Sequence, residues 1–216
     1  MSGREPAPRG RHAPPLEVRQ DRQRRRLYAA AASVFARMGY ADATAEAIAR
    51  EAGMSKATFY EHFGNKEDCI VALFDAGAEA VIEAMRRAGA ESRDSGAAGR
   101  VRAIVRTYLE VLAAFPDEAQ TLLVEIIGAG PRAMERRDRV LAAFAGAIDE
   151  GNREDAEEGL APRLASPHDA FALVGALVEL ASRQIRTREP GDIRDLEPVV
   201  ERLVAGVLHA GARTPA

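Results

Sequence analysis

From about Asp21 onward, apolar residues return every three or four positions, and nowhere do Val, Ile or Tyr alternate with polar residues over a strand-length run. The first stripe, Leu27, Ala31, Val34, Phe35 and Met38, predicts a helix over about 21–38 that stops at Gly39. A short helix over 45–52 follows, with Thr44 as N-cap and Ile48 as its buried anchor, and Gly53 turns the chain. Ser55 caps a third helix, 56–62, with Phe59 and Phe63 turned inward. Asn65 caps a fourth that runs to about Arg87 on Ile70, Leu73, Phe74, Ala78, Val81 and Met85. Gly77 lies on the same face and leaves room for a close neighbour. The small-residue stretch 89–99 predicts a loop and a domain boundary. Five more helices are expected over about 100–115, 117–127, 131–149 (resuming to 158), 166–188 and 196–210. The fold class is all-α, with about nine helices. A helix–turn–helix unit over 21–66 is joined through the fourth helix, 66–87, to a larger helical domain over 88–216.

Composition narrows the functional classes. With 47% apolar residues in 216, the chain buries an ordinary core, and its single cysteine, Cys69, excludes an internal disulfide. Cys69 sits where an apolar residue would fit, so it reads as a small buried hydrophobe and not a redox switch. The richest apolar stretch, 170–181, is interrupted by Glu179 and falls short of the ~20 residues of a membrane span. The Arg- and Pro-rich start lacks the apolar core of a secretory signal, so a cytoplasmic protein with no membrane partner is expected. Residues 1–20 read as a disordered basic arm. Residues 1–66 carry 12 Lys and Arg against 7 Asp and Glu, a net +5, so the remainder carries −8 of the chain's −3. A basic front points to a polyanion partner. Both lysines, Lys56 and Lys66, fall in that front.

The third helix explains why. Its polar side offers Ser55, Lys56, Thr58, Tyr60 and His62, all able to donate to phosphates or base edges, while Ala57 permits close approach or a thymine methyl contact. Lys66, at the start of the fourth helix, is placed to hold a phosphate together with free amides. A short amphipathic helix with a merely solvated polar face would show the same pattern. Glu61 accepts from a cytosine or pairs with an arginine, the second being the simpler reading. The isolated His168 and His209 have no metal-ligand spacing, and no HExxH, GxSxG or Gly-rich phosphate loop supports catalysis, so neither metal, cofactor nor enzyme activity is assigned.

Several positions together carry a family resemblance: Phe35 with Gly39-Tyr40, Thr44, Ile48-Ala49, Ala52-Gly53 before Ser55-Lys56, then Phe59-Tyr60, His62-Phe63 and Asn65-Lys66-Glu67. This stretch resembles the DNA-binding domain of the tetracycline-repressor (TetR) family, although Ala43 replaces a frequent threonine and Glu61 is acidic. The resemblance implies a homodimeric repressor that reads a palindromic double-stranded operator and is released by a small apolar effector. An effector-independent regulator or an activator would use the same front. Thr44, Tyr60, His62 and Lys66 match phosphate-holding positions; Ser55, Lys56, Ala57 and Thr58 match those nearest the bases. Arg19, Arg22 and Arg24–Arg26 are candidates for further phosphate or minor-groove contacts. Tyr108, Phe115, Met134, Phe144 and Phe171 are the large side chains available to line an effector pocket. Two helices apolar on adjacent faces place Val174, Leu177, Val178, Ala181, Leu203 and Val207 at the expected dimer interface.

Overall fold

The computed structural model describes residues 16–211, and among them finds nine α-helices and no strand. They are α1 (Leu16–Asp42), α2 (Ala45–Glu51), α3 (Lys56–His62), α4 (Lys66–Glu91), α5 (Gly96–Ala114), α6 (Pro116–Leu123), α7 (Pro131–Glu157), α8 (Pro167–Thr187) and α9 (Glu197–Gly211). Three single turns of 3₁₀ helix, Arg93–Ser95, Glu125–Gly128 and Ile193–Leu196, join them.

Local chemistry sets the helix starts. The Thr44 hydroxyl accepts from the Ala47 amide at 3.1 Å, the Ser55 hydroxyl from Thr58 at 3.1 Å and the Asn65 side chain from Asp68 at 2.9 Å. At α8, Ser166 and Asp169 form a reciprocal capping box with Pro167 in the first turn. The chain departs from expectation where helix propensity outweighs small residues. Residues 16–20, read as part of an arm, are already helical in α1, and the rest of that arm lies outside the described residues. The 89–99 stretch is a tight α4–α5 connection, because its alanines extend both helices and only Gly96, at φ +70°, breaks them. α7 continues through Gly151-Asn152, where Asn152 donates to the Pro162 carbonyl and accepts from Arg163 and the Leu164 amide.

Phe35, Phe59, Leu27, Ile48 and Ile70 are fully buried where α1–α3 meet the start of α4; each such side chain contributes about 1.5–3 kcal/mol. One continuous core joins this unit to the rest of the molecule, since α1 packs against α6 and the turn after it. α4 crosses α6 at Gly77, where a Cβ would stand 2.8 Å from Leu122 Cδ2, so the expected close approach is real. Met38, predicted within the α1 stripe, is instead 41% exposed, because helical geometry breaks at the next residue, Gly39 (φ +77°).

Candidate nucleic-acid interface and effector cavity

The helix–turn–helix is held by side chains from three helices. The Phe59 and Phe63 rings pack 5.4 Å apart at a tilt of 51°, and Tyr28 of α1 lies 5.9 Å from Phe63. Arg24 spreads over both the Tyr28 and Phe63 rings, at 5.5 and 5.8 Å, and its Nε donates to the Tyr28 hydroxyl. Arg26 donates at 2.7 Å to the Ala52 carbonyl at the end of α2, beside the Gly53 turn. Arg19, Arg22, Arg24, Arg25 and Arg26 are all exposed along α1, and of these Arg24 and Arg26 are engaged within the fold.

On α3, Ser55, Lys56, Ala57 and Tyr60 are exposed, and Thr58 and His62 are half-buried. The Ser55 and Thr58 hydroxyls lie 2.9 Å apart, and His62 Nε2 lies 3.4 Å from the Gln23 side chain. Lys56 is paired with Glu46 of α2 and lies 5.9 Å from the Tyr60 ring. The hydrogen bond to Glu46 raises the Lys56 pKa and lowers that of its partner, so both stay charged at neutral pH. Glu61 is exposed and enters no ion pair among the described residues, so the expected arginine partner is not found.

Lys66 has a different place from the one its position in the sequence suggested. Its ammonium donates to three carbonyls, Tyr40 at 2.6 Å, Ala41 at 2.9 Å and Ala43 at 3.0 Å, and sits 4.4 Å from the Tyr40 ring centre. An ammonium has three N–H donors, and all three are used. Lys66 thus gathers the carbonyls that the broken end of α1 leaves without helical partners. On the other side of the same break, the Tyr40 amide donates at 2.8 Å to Glu125, which Gln120 of α6 holds at 2.9 Å.

Away from this surface, α4, α5, α7, α8 and α9 enclose an apolar cavity of about 120 Å³. Met85 contributes from α4, Val101, Ile104 and Val105 from α5, and Phe144 and Ile148 from α7; Leu173, Val174 and Leu177 come from α8, and Val200, Leu203 and Val204 from α9. A wider groove of about 720 Å³ between α4 and α7 is open to solvent and bordered by the Asp75–Arg136 pair. Enclosure and lining favour the smaller space as a ligand chamber.

Of the expected pocket residues, Phe144 lines the cavity, Met134 is half-buried away from it, and Phe115 and Phe171 are 54% and 48% exposed. Phe115 ends α5 immediately before Pro116, and Phe171 lies on the outer side of α8, so neither reaches inward. Tyr108 is buried one turn beyond Val105, and its hydroxyl finds no partner, while burial pushes its pKa up. The expected dimer contacts also move: Val174, Leu177, Val178 and Ala181 are 0–7% exposed within the single chain. Leu203 lines the cavity and Val207 is half-buried. α8 is apolar on two sides, and the side that carries Val174, Leu177, Val178 and Ala181 faces its own subunit. The remaining lining residues carry no signal of their own in the sequence, because Val, Ile and Leu at helical spacing look the same facing a cavity or a packed core.

Residues 27–73 match the family model described as bacterial regulatory proteins, tetR family. Along 184 residues the chain is 26% identical to a fatty acid metabolism regulator protein of Bacillus subtilis, covering 82% of this chain and 92% of that protein. The fold is similar to the fatty acid degradation regulator FadR of Bacillus halodurans, with a TM-score of 0.78, 24% identity, and coverage of 86% of this chain and 96% of that one. It is also similar to FadR of Bacillus subtilis in complex with stearoyl-CoA, with a TM-score of 0.75, 22% identity, and coverage of 85% and 98%. Residues 27–73, the stretch matched by the tetR family model, fold here as the capped helix–turn–helix, and the chain as a whole shares the all-helical fold of these regulators.

Proposed function

We propose that the chain is a cytoplasmic homodimeric repressor, not an enzyme, and that a fatty acyl compound releases it from a palindromic operator. The observation that carries this reading is the enclosed apolar cavity, whose lining residue Met85 and whose DNA-proximal cap Asn65 lie on one unbroken helix, α4. Ser55, Lys56, Ala57 and Thr58 would address bases, and Thr44, Tyr60 and His62 phosphates. Two copies must hold their α3 helices about 34–36 Å apart, one turn of DNA, to read both half-sites.

The relatives named for fatty acid metabolism, and the one solved with stearoyl-CoA, support an acyl effector. The cavity's size supports a mechanism. Its roughly 120 Å³ resembles a cavity that admits benzene, far less than a long hydrocarbon chain requires. An acyl chain longer than a few carbons therefore has to part the surrounding helices. That displacement tilts α4 and changes the spacing of the recognition helices. Coupling is reciprocal, so operator DNA must weaken effector binding by the same factor, roughly 5- to 150-fold for ~1–3 kcal/mol. The test is a titration of stearoyl-CoA with and without operator fragment, recovered by sequencing DNA bound to the purified protein. Weaker binding in the presence of operator is expected; equal affinities would overturn the release mechanism.

A further inference from the structure

A charged pair lies beyond the outer end of the cavity described above, although neither of its residues lines that cavity. Asp155 of α7 is the only charged residue among the buried side chains of the described residues; Thr121, Ser182 and Gln184, the other buried polar residues of that set besides the Tyr108 hydroxyl and the Cys69 thiol, each donate to a main-chain carbonyl. Its partner is Arg100 of α5, and the two side chains are 12% and 20% exposed. Three elements place this pair beyond the cavity on the side away from α3. Arg100 directly precedes the lining residue Val101 on α5. Asp155 lies about two turns beyond the lining residue Ile148 on α7. The Arg100 stem passes Gly89 of α4, its Cγ 3.9 Å from where a Cβ would stand, one turn outward from Met85. The ion pair thus bridges two helices that wall the cavity.

A buried ion pair is a weak source of stability, because desolvating both charges offsets most of their attraction. Stability alone is a poor reason for it here. An apolar chamber with an arginine beyond its outer end instead has the polarity of an amphipathic anion. We infer that Arg100 is the receptor for an anionic head group on the effector, and that Asp155 occupies it when the chamber is empty. An entering anion replaces Asp155, which frees α7 from α5 as the hydrocarbon fills the cavity. The inference rests on the acyl reading of the cavity. The anion is a carboxylate or a phosphate; the planar guanidinium accepts either in a bidentate manner.

The test compares decanoate, decanoyl-CoA and methyl decanoate by calorimetry on the wild-type protein, on Asp155→Asn and on the charge-neutral double variant Arg100→Gln/Asp155→Asn. The double variant leaves no unpaired charge, so it keeps the test valid if single replacement of Arg100 prevents folding. The double variant is expected to bind at least one anionic probe about tenfold or more weakly than wild type, and methyl decanoate within about twofold. Asp155→Asn is expected to bind the same anion more tightly than wild type. Loss confined to decanoate assigns the head group as the carboxylate, and loss confined to decanoyl-CoA as a phosphate. Unchanged affinity of the double variant for both anions would overturn the assignment while leaving the acyl cavity intact. Failure of all three probes to bind the wild-type protein would overturn both.

Discussion

At the scale of single residues, three side chains show how a position's chemistry depends on what surrounds it. Lys66 is saturated by three carbonyls, so its removal is expected to act first on folding. Lys66→Met should lower stability by about 1.5–3 kcal/mol, the range for hydrogen bonds to a charged group, measured by urea denaturation. The salt dependence of operator binding should keep its slope; a slope shallower by about one unit per half-site would instead make Lys66 a phosphate ligand. Lys56→Met, by contrast, should change which bases are preferred, checked by selection from random DNA. Cys69 is fully buried, and desolvation pushes its pKa up to about 12. Because folding raises this pKa, its contribution to stability is complete below the unfolded value of about 8.5 and is lost as the pH climbs from there. The native thiol should resist iodoacetamide at pH 8 and react once urea unfolds the chain.

At the scale of elements, the helices follow from signals within a few residues of each boundary. Thr44, Ser55 and Asn65 are legible as caps because the bond each makes is local. The break in α1 at Gly39 was legible too; the clasp across it was not, since Glu125 lies 85 positions from Tyr40. This gives the DNA-binding unit a second link to the rest of the molecule besides α4. The α4–α6 crossing is the point where packing is tightest. Gly77→Val should push Leu122 aside and destabilise the chain by about 1–3 kcal/mol, as overpacking does. If thermal denaturation shows no loss, the crossing is looser than its geometry indicates.

At the scale of the whole molecule, the outer faces of α8 and α9 expose Phe171, Ala172, Val199, Ala205 and Gly206, and Gly175 and Gly206 face open space. Small residues beside unsheltered large ones suit a second copy of the chain. Phe171→Glu should give a monomer by sedimentation and abolish cooperative operator binding without loss of helicity. Leu177→Arg should instead unfold the subunit, because that side chain points into its own cavity. Retention of a dimer by Phe171→Glu would move the interface elsewhere.

Hydrophobic period, capping residues and glycine breaks determined the helical order, the helix–turn–helix and the exposed face of α3, because each depends on interactions between near neighbours in the chain. Only the tertiary structure decided which side of α8 faces inward, that Lys66 meets carbonyls at and just after the end of α1, and that Arg100 and Asp155 meet outside the cavity. A periodic stripe states that a helix has an apolar face and is silent on what covers it. That choice is made by helices remote in sequence, whose packing turns identical Val and Leu spacings into core on one side of α8 and a chamber on another.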